Sequence, residues 1–313
     1  MFRLAHLSDV HLGPLPDVTY RELASKRITG WVNWQRNRKQ HMHDGVVDAL
    51  MDDIEAQDPD HTVITGDLVN LALDAEIQLA HLWLVEMGRP DRLTVVPGNH
   101  DAYVPGALAK ACKAWGDYMA GDGMTAPDGR HGFPTFRRRG SVAIIGVSSA
   151  RSSAPFMASG YFREKQARRL REMLDAARRD GLFRVVLIHH PPVHGAAAAH
   201  KRLFGISRFQ RVIVAHGAEL VLHGHTHVPT LHWIAGPKGA AVPVVGVSAA
   251  GQGISGSKPP ASFNLFEIDG EPGNWSVELI RRGLGRSGDG ISEISRSNLV
   301  VARTLAIVQP VPD

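Results

Sequence analysis

Residues 61–101 read HTVITGDLVNLALDAEIQLAHLWLVEMGRPDRLTVVPGNHD. The opening run, 61–65, is rich in β-branched residues and closes on Gly66-Asp67, so it reads as a short strand and turn. Residues 74–87 carry apolar side chains recurring at three and four, the helical period. Residues 93–96 form a second apolar run, stopped by Pro97-Gly98. Strand, helix and strand in this order argue for an α/β domain. Both strands lead into polar clusters, Gly66-Asp67 and Gly98-Asn99-His100-Asp101. In open α/β sheets, ligand sites lie just beyond the carboxyl ends of the strands.

The same grammar extends outward. Upstream, residues 2–7 read as a strand followed by Asp9-Val10-His11. Residues 20–38 read as a strongly basic helix, and 45–57 as a second helix closed by Asp58-Pro59. Downstream, 137–139 and 142–147 read as paired strands with Gly140 at their turn. Residues 163–180 form a charged helix. The buried strand 183–188 then meets His189-His190-Pro191, and the short strand 220–222 leads to Gly224-His225-Thr226-His227. Runs at 242–247, 263–268 and 275–280 give a β-rich end. Main domain, 1–282, is the expected extent, with a basic helical insertion at about 14–43. The remainder, 283–313, reads as a Gly/Ser-rich linker and a C-terminal tail.

Composition narrows the chemistry. Hydrophobic residues make up 43% of 313, enough for a sizeable core without disulfides or obligatory partners. The single cysteine, Cys112, excludes an internal disulfide and a Cys-based zinc cage, and fits a reducing compartment. Against it stand 17 histidines, so any metal here is held through nitrogen and oxygen. The formal net charge of +4 is compatible with anionic substrates and equally with an ordinary solvated surface. No secretory h-region and no run of membrane-spanning length is visible, so a cytoplasmic location is expected. Peripheral membrane contact stays open, and oligomeric state is not legible.

Carboxylate, imidazole and amide oxygen are hard to borderline ligands for first-row metals. In Asp9-x-His11 and His225-x-His227, alternate residues of an extended segment point the same way. Two metals held close together favour a bridging carboxylate. Asp67 is the natural candidate, because it stands between the two ligand groups and has no acid beside it.

The ordered series D-x-H, GD, GNHD, H-x-P and GH-x-H resembles that of the calcineurin-like metallophosphoesterases, over residues 9–227. GNHD and His189-His190-Pro191-Pro192 look most like the cyclic-nucleotide and glycerophosphodiester branch. The resemblance implies a four-layer α/β/β/α sandwich, two mixed β-sheets flanked by helices. It implies two divalent or trivalent transition-metal ions: Mn, Fe or Zn. The first ion would take Asp9, His11, Asp67 and His227; the second would take Asp67, Asn99, His189 and His225. His100 would face the phosphoryl or leaving oxygen as acid, with Asp101 orienting it. The implied reaction is attack of a metal-bound hydroxide on a phosphate ester, most naturally a diester, with a small-molecule substrate.

Other residues carry weaker signals. His190 and His223 flank proposed ligands and could orient them. His6, His61, His81, His131, His216 and His232 read as structural. In the basic segment, Ile28, Trp31 and Trp34 recur at three-residue spacing, so it is either a surface helix packed on the body or a lid over the site. As a lid it would offer Arg27, Trp34 and Arg36 to substrate. His194 and His200 could line the same pocket. Alternatives to the diesterase are hydrolysis of a UDP-linked lipid precursor, a nuclease, or a non-catalytic scaffold. The first has a branch that commonly reads GNRD where this chain has His100. The second lacks an aromatic-basic clamp, so nucleic acid is not an expected partner. The third usually lacks ligands that are all present here.

Overall fold

The computed structural model describes residues 1–23, 25–35, 45–254, 258–285 and 290–299. In chain order the first elements are β1 (Phe2–Leu7), α1 (Tyr20–Leu23), α2 (Arg27–Asn33), α3 (Val46–Ala56) and β2 (His61–Ile64). Next come α4 (Asp74–Met87), β3 (Leu93–Val95), α5 (Ala107–Met119), β4 (Thr135–Arg139) and β5 (Val142–Gly146). They are followed by β6 (Gly160–Tyr161), α6 (Glu164–Arg179), β7 (Phe183–Leu187), β8 (Leu203–Phe204) and α7 (Ile206–His216). The last are β9 (Leu220–His223), β10 (Leu231–Ala235), β11 (Ala241–Gly246), β12 (Ser262–Glu271), β13 (Asn274–Leu284) and β14 (Ile291–Leu299).

Two six-stranded mixed sheets result, ordered β14-β13-β12-β1-β2-β3 and β10-β11-β9-β7-β5-β4. In the first, β1, β2 and β3 are parallel while β12, β13 and β14 run antiparallel. In the second, β5, β7, β9 and β11 are parallel, edged by antiparallel β4 and β10. Side-chain alternation then builds the layers. Phe183, Val185 and Leu187 join the core shared with Leu4, Val63 and Phe263 of the first sheet. Val186 and Ile188, one residue out of phase, join Leu170 and Leu174 of α6 and Phe209 and Ile213 of α7. The far side of the first sheet takes Leu50 of α3, Leu84 of α4 and Trp115 of α5. Each such fully buried side chain stabilises by about 1.5–3 kcal/mol relative to exposure. This is the expected four-layer α/β/β/α sandwich.

Two expectations change. Among the described residues, the basic helix expected at 20–38 is two short helices, broken at Ser25-Lys26, where the Ser25 hydroxyl accepts from the Arg27 amide at 3.2 Å. Two of its cations turn inward across that break: Arg27 donates to the carbonyls of Leu71 and Ala72, and Lys26 reaches Ser153 and Met157. Position 283, expected to begin a linker, lies within β13, and β14 extends the first sheet with Leu299 in its core. The helices α5 and α7 fill stretches to which the sequence reading assigns no element. Arg36, His41, His43 and the chain beyond Leu299 lie outside the described residues.

Candidate metal centre

Parallel strands β1, β2 and β3 of one sheet, and β7 and β9 of the other, end on the same side, and their following loops meet there. The loops are stitched by backbone bonds. Asp9 N–H donates to Gly66 O at 2.9 Å, His11 to Asp67 O at 3.0 Å and Leu12 to Leu68 O at 2.8 Å. Gly224 N–H donates to His189 O at 3.1 Å. The sheets are joined where His189 Nδ1 donates to Thr65 O at 2.6 Å and His225 N–H donates to Asp9 Oδ2 at 2.8 Å. Two glycines permit this approach. A Cβ on Gly98 would strike the Asp67 carboxylate, and one on Gly224 would strike Ser8 and Asp9.

Asp9, His11, Asp67, His225 and His227 all hold a left-handed backbone, with φ between 47° and 69°. For a residue with a side chain this costs on the order of 1–3 kcal/mol, and such strain gathers where function requires it. It brings donor atoms into four overlapping groups, each within 4.8 Å: Asp9 with His11 and His227; Asp9 with Asp67 and His189; His11 with Asp67 and His100; His189 with His190 and His225. His189 Nε2 lies 3.2 Å from both Asp67 Oδ2 and Asn99 Oδ1, and His227 Nε2 lies 3.1 Å from Asp9 Oδ1.

The imidazoles are aimed by carbonyls. His11 Nδ1 lies 3.0 Å from Val69 O and His100 Nδ1 lies 2.6 Å from Asn70 O. Carbonyls only accept, so these Nδ1 atoms, like that of His189, carry the proton and leave Nε2 as the lone-pair nitrogen. His225 is the reverse case. Its Nε2 donates to Lys201 O at 2.9 Å, leaving Nδ1 with the lone pair. Such partners fix tautomer and orientation at metal-binding histidines.

The charges point the same way. Burial would raise Asp9 and Asp67, yet neighbouring histidines, His227 for the first and His189 for the second, hold both carboxyls well below the usual range. Burial would lower His189, but Asp67 and Asp9 push it up to about 9. Two ionised, fully buried carboxylates need compensating positive charge. A pair of transition-metal cations among these nitrogen and oxygen donors supplies it, so the donor set fits a dinuclear centre.

All seven expected ligands converge, and His100 stands at their edge, 4.7 Å ring to ring from His11. Asp101 is a correction. Its carboxylate accepts from the amides of Gly98, Asp67, Leu68 and Val69 at 2.8–3.4 Å, so it shapes the ligand loops while the Asn70 carbonyl orients His100. Burial and the neighbouring Asp67 push Asp101 up to about 7 against the pull of those amides. His190 packs on His225 at 4.2 Å and on His189 at 4.9 Å, with its nitrogens engaged by Ser149 and Ala158. His223 bonds Gly224 O and Thr230, supporting the turn into His225.

Beside His100 opens a cleft of about 440 Å³. Trp34 lines it as expected, and so does His200. Arg27 does not, being spent on the Leu71 and Ala72 carbonyls. His194 lines a separate small cavity and bonds Ser207 at 3.3 Å. Sequence reasoning missed Asn70, Tyr103, Phe156 and Lys201 in the cleft wall. Asn70 had a local signal, lying three residues past Asp67, and Tyr103 lies two past Asp101; Phe156 and Lys201 had none.

Comparison with known proteins agrees with this geometry. The calcineurin-like phosphoesterase family matches residues 2–229. Among solved structures, a dimetal phosphatase from Danio rerio is similar at a TM-score of 0.60 and 13% identity, covering 96% of this chain and 99% of that one. A purple acid phosphatase from yellow lupin (Lupinus luteus) seeds gives 0.56 and 11%, covering 95% of this chain and 53% of that one, so this chain spans about half of it. GAP50 of Plasmodium, described as the anchor in the inner membrane complex, gives 0.52 and 14%, covering 97% and 90%. At these identities the likenesses establish the fold. No curated protein matches the sequence. Among the described residues, no helix is long and apolar enough to cross a membrane. The family match runs from β1 through the loop that carries His225 and His227, and so takes in all five converging loops; the chain therefore belongs to the calcineurin-like phosphoesterases and is a hydrolase of phosphoric esters.

Proposed function

We propose that the protein hydrolyses phosphodiesters at a two-metal centre. Asp9, His11, Asp67 and His227 would hold one ion; Asp67, Asn99, His189 and His225 would hold the other, with Asp67 shared. When bound, the pair supplies Lewis-acid stabilisation of the phosphoryl oxygens and lowers the pKa of the attacking water. Mn, Fe and Zn all accept this donor set.

The observation that carries the reading is the placement of His100. Its Nδ1–H is committed to the Asn70 carbonyl, and the residue forms part of the cleft wall beside the ligand cluster. Its Nε2 would hold a proton for the leaving alcohol, a role that typically contributes ~10²- to 10⁴-fold. Tyr103, stacked on His100 at 5.3 Å, keeps the ring in that plane. The diester preference is supported by the cleft itself, which continues past His100 along Trp34, Tyr103 and Phe156. That apolar wall would receive an organic arm of the substrate. A cytoplasmic location is supported by the lone, buried Cys112.

The test is a panel on metal-replete protein: aryl monoester, aryl diester, cyclic nucleotides, glycerophosphodiesters and UDP-lipids. Aryl diester turnover should exceed monoester turnover. A faster monoester overturns the diester reading, and a UDP-lipid outpacing every other substrate moves the function to pyrophosphate cleavage.

A further inference from the structure

The cleft beside His100 has a concentration of positive charge that the metal centre does not use. Lys26, from the turn before α2, and Lys201, from the turn before β8, both line it. Arg151 lies nearby, held by Ser159 O and Oγ at 3.2 and 2.7 Å, with its guanidinium carbon 5.1 Å from the centre of the Phe204 ring. Ion pairs of the described residues engage other cations, such as Arg3, Arg208 and Arg282, and none involves these three. Like charges gathered at one rim repel, and an anion that visits them relieves the repulsion.

Lys26 is also held in place rather than waving in solvent. Its ammonium donates to Ser153 Oγ at 2.9 Å and to Met157 O at 3.0 Å, leaving one of its three N–H donors. It lies 4.6 Å from the centre of the Tyr103 ring, the same ring that stacks on His100. Burial and Arg151 lower Lys26 to about 8, so it keeps its charge at neutral pH. Gly30 of α2 allows the arrangement, because a Cβ there would strike the Tyr103 hydroxyl.

We propose that Lys26 and Lys201 of the cleft wall, with Arg151 nearby, form a second anion subsite, and that the diester cleaved at the metal centre carries a further phosphate or carboxylate on one arm. The inference rests on the phosphodiesterase reading and names its substrate class. A cationic rim that merely attracts anions over a distance would not depend on the geometry of one lysine, which gives the test its discrimination.

The experiment compares p-nitrophenyl 3-carboxypropyl phosphate with p-nitrophenyl butyl phosphate, arms of similar length that differ in one carboxylate. The carboxylated diester should show a KM lower by about tenfold or more, the scale of one charge-assisted hydrogen bond. Lys26→Met should remove most of that preference and Lys26→Arg should retain it. Equal KM for the two diesters, or a preference untouched by Lys26→Met, overturns the subsite. The same comparison is made by calorimetry with the two p-nitrobenzylphosphonate monoesters, which cannot lose p-nitrophenol. A binding preference without turnover of either diester keeps the subsite and sinks the phosphodiesterase reading; turnover of both without preference does the reverse.

Discussion

His6 and His189 are both fully buried, one on β1 and the other just past β7. Burial, with help from His223 and against the pull of Asp9, lowers His6 to about 3; the groups its ring touches, Thr65 and Asn264, offer hydroxyl and amide but no full charge. Burial acts on His189 too, yet Asp67 and Asp9 override it and push that imidazole up to about 9. His61, beside Thr94, follows His6, lowered to about 2 by burial with help from nearby arginines. So burial with no carboxylate on the ring makes a quiet structural histidine. What marks His189 is burial together with a carboxylate on one nitrogen and a backbone carbonyl on the other, whereas burial and His190 hold His225 well below the usual range. A cation and a proton compete for the same lone pair there, and for His6 and His61 no cation would arrive to compete.

The sharpest way to break this comparison is to remove the carboxylate proposed to be shared. Asp67→Ala should abolish bound metal, read as metal per chain by mass spectrometry. It should also lower turnover by more than the roughly 10⁴-fold that marks the upper range for loss of one acid or base. Full metal content in that variant would put Asp67 outside the centre. His100→Ala is next in size. Its rate should fall ~10²- to 10⁴-fold while metal content holds, since a group at the edge of the cluster contributes a proton rather than a bond to metal. Equal metal loss in both variants would place His100 among the ligands.

Asp101→Asn tests whether loop geometry matters as much as ligand identity. An amide oxygen can keep some of the four backbone donors now shared by the carboxylate, but its NH₂ group must then face others. Metal affinity should weaken by about 10- to 100-fold, as for other partners that orient ligands. A chelator titration checks it, and an unchanged midpoint would show that the loop holds its shape without that charge.

The contrast also explains what was legible in the sequence. The loops of the centre are local: each pattern lies within four residues and follows a strand, so the ordered series could be recognised, and the resemblance it carries implied Asp9, His11, Asp67, Asn99, His189, His225 and His227. Strand and helix periods around them gave the α/β class, and the four-layer sandwich came with the resemblance. The cleft wall is not local. Lys26 finds Ser153 and Met157 across 127 and 131 residues, and no period marks such a meeting. Arg27 looked like a substrate residue because its charge was visible and its carbonyl partners at Leu71 and Ala72 were not. Asp101 sat beside His100 in sequence, but the turn aims its carboxylate back at the amides of the Asp67 loop. The strand β14 was hidden because its polar, exposed residues alternate too weakly to announce an edge strand.

The smallest expected effect belongs to the quiet histidines, and it carries a definite sign. His61 has a folded pKa of about 2, against an ordinary value of 6.5. Below 6.5 the unfolded chain takes up a proton that the folded chain refuses, so acid favours unfolding. Its contribution is intact above pH 6.5 and declines as the pH falls, by about 1.4 kcal/mol per unit, until the folded group itself titrates. His61→Phe removes that slope. It leaves the Thr94 hydroxyl without its 2.7 Å partner, a loss on the order of 1–3 kcal/mol at every pH. Urea unfolding at pH 7, 6, 5 and 4.5 should therefore show a variant that starts less stable and loses stability less steeply. Parallel curves for the two proteins would mean that His61 accepts a proton while folded, and the distinction between the histidines of the strands and those of the centre would fail at that residue.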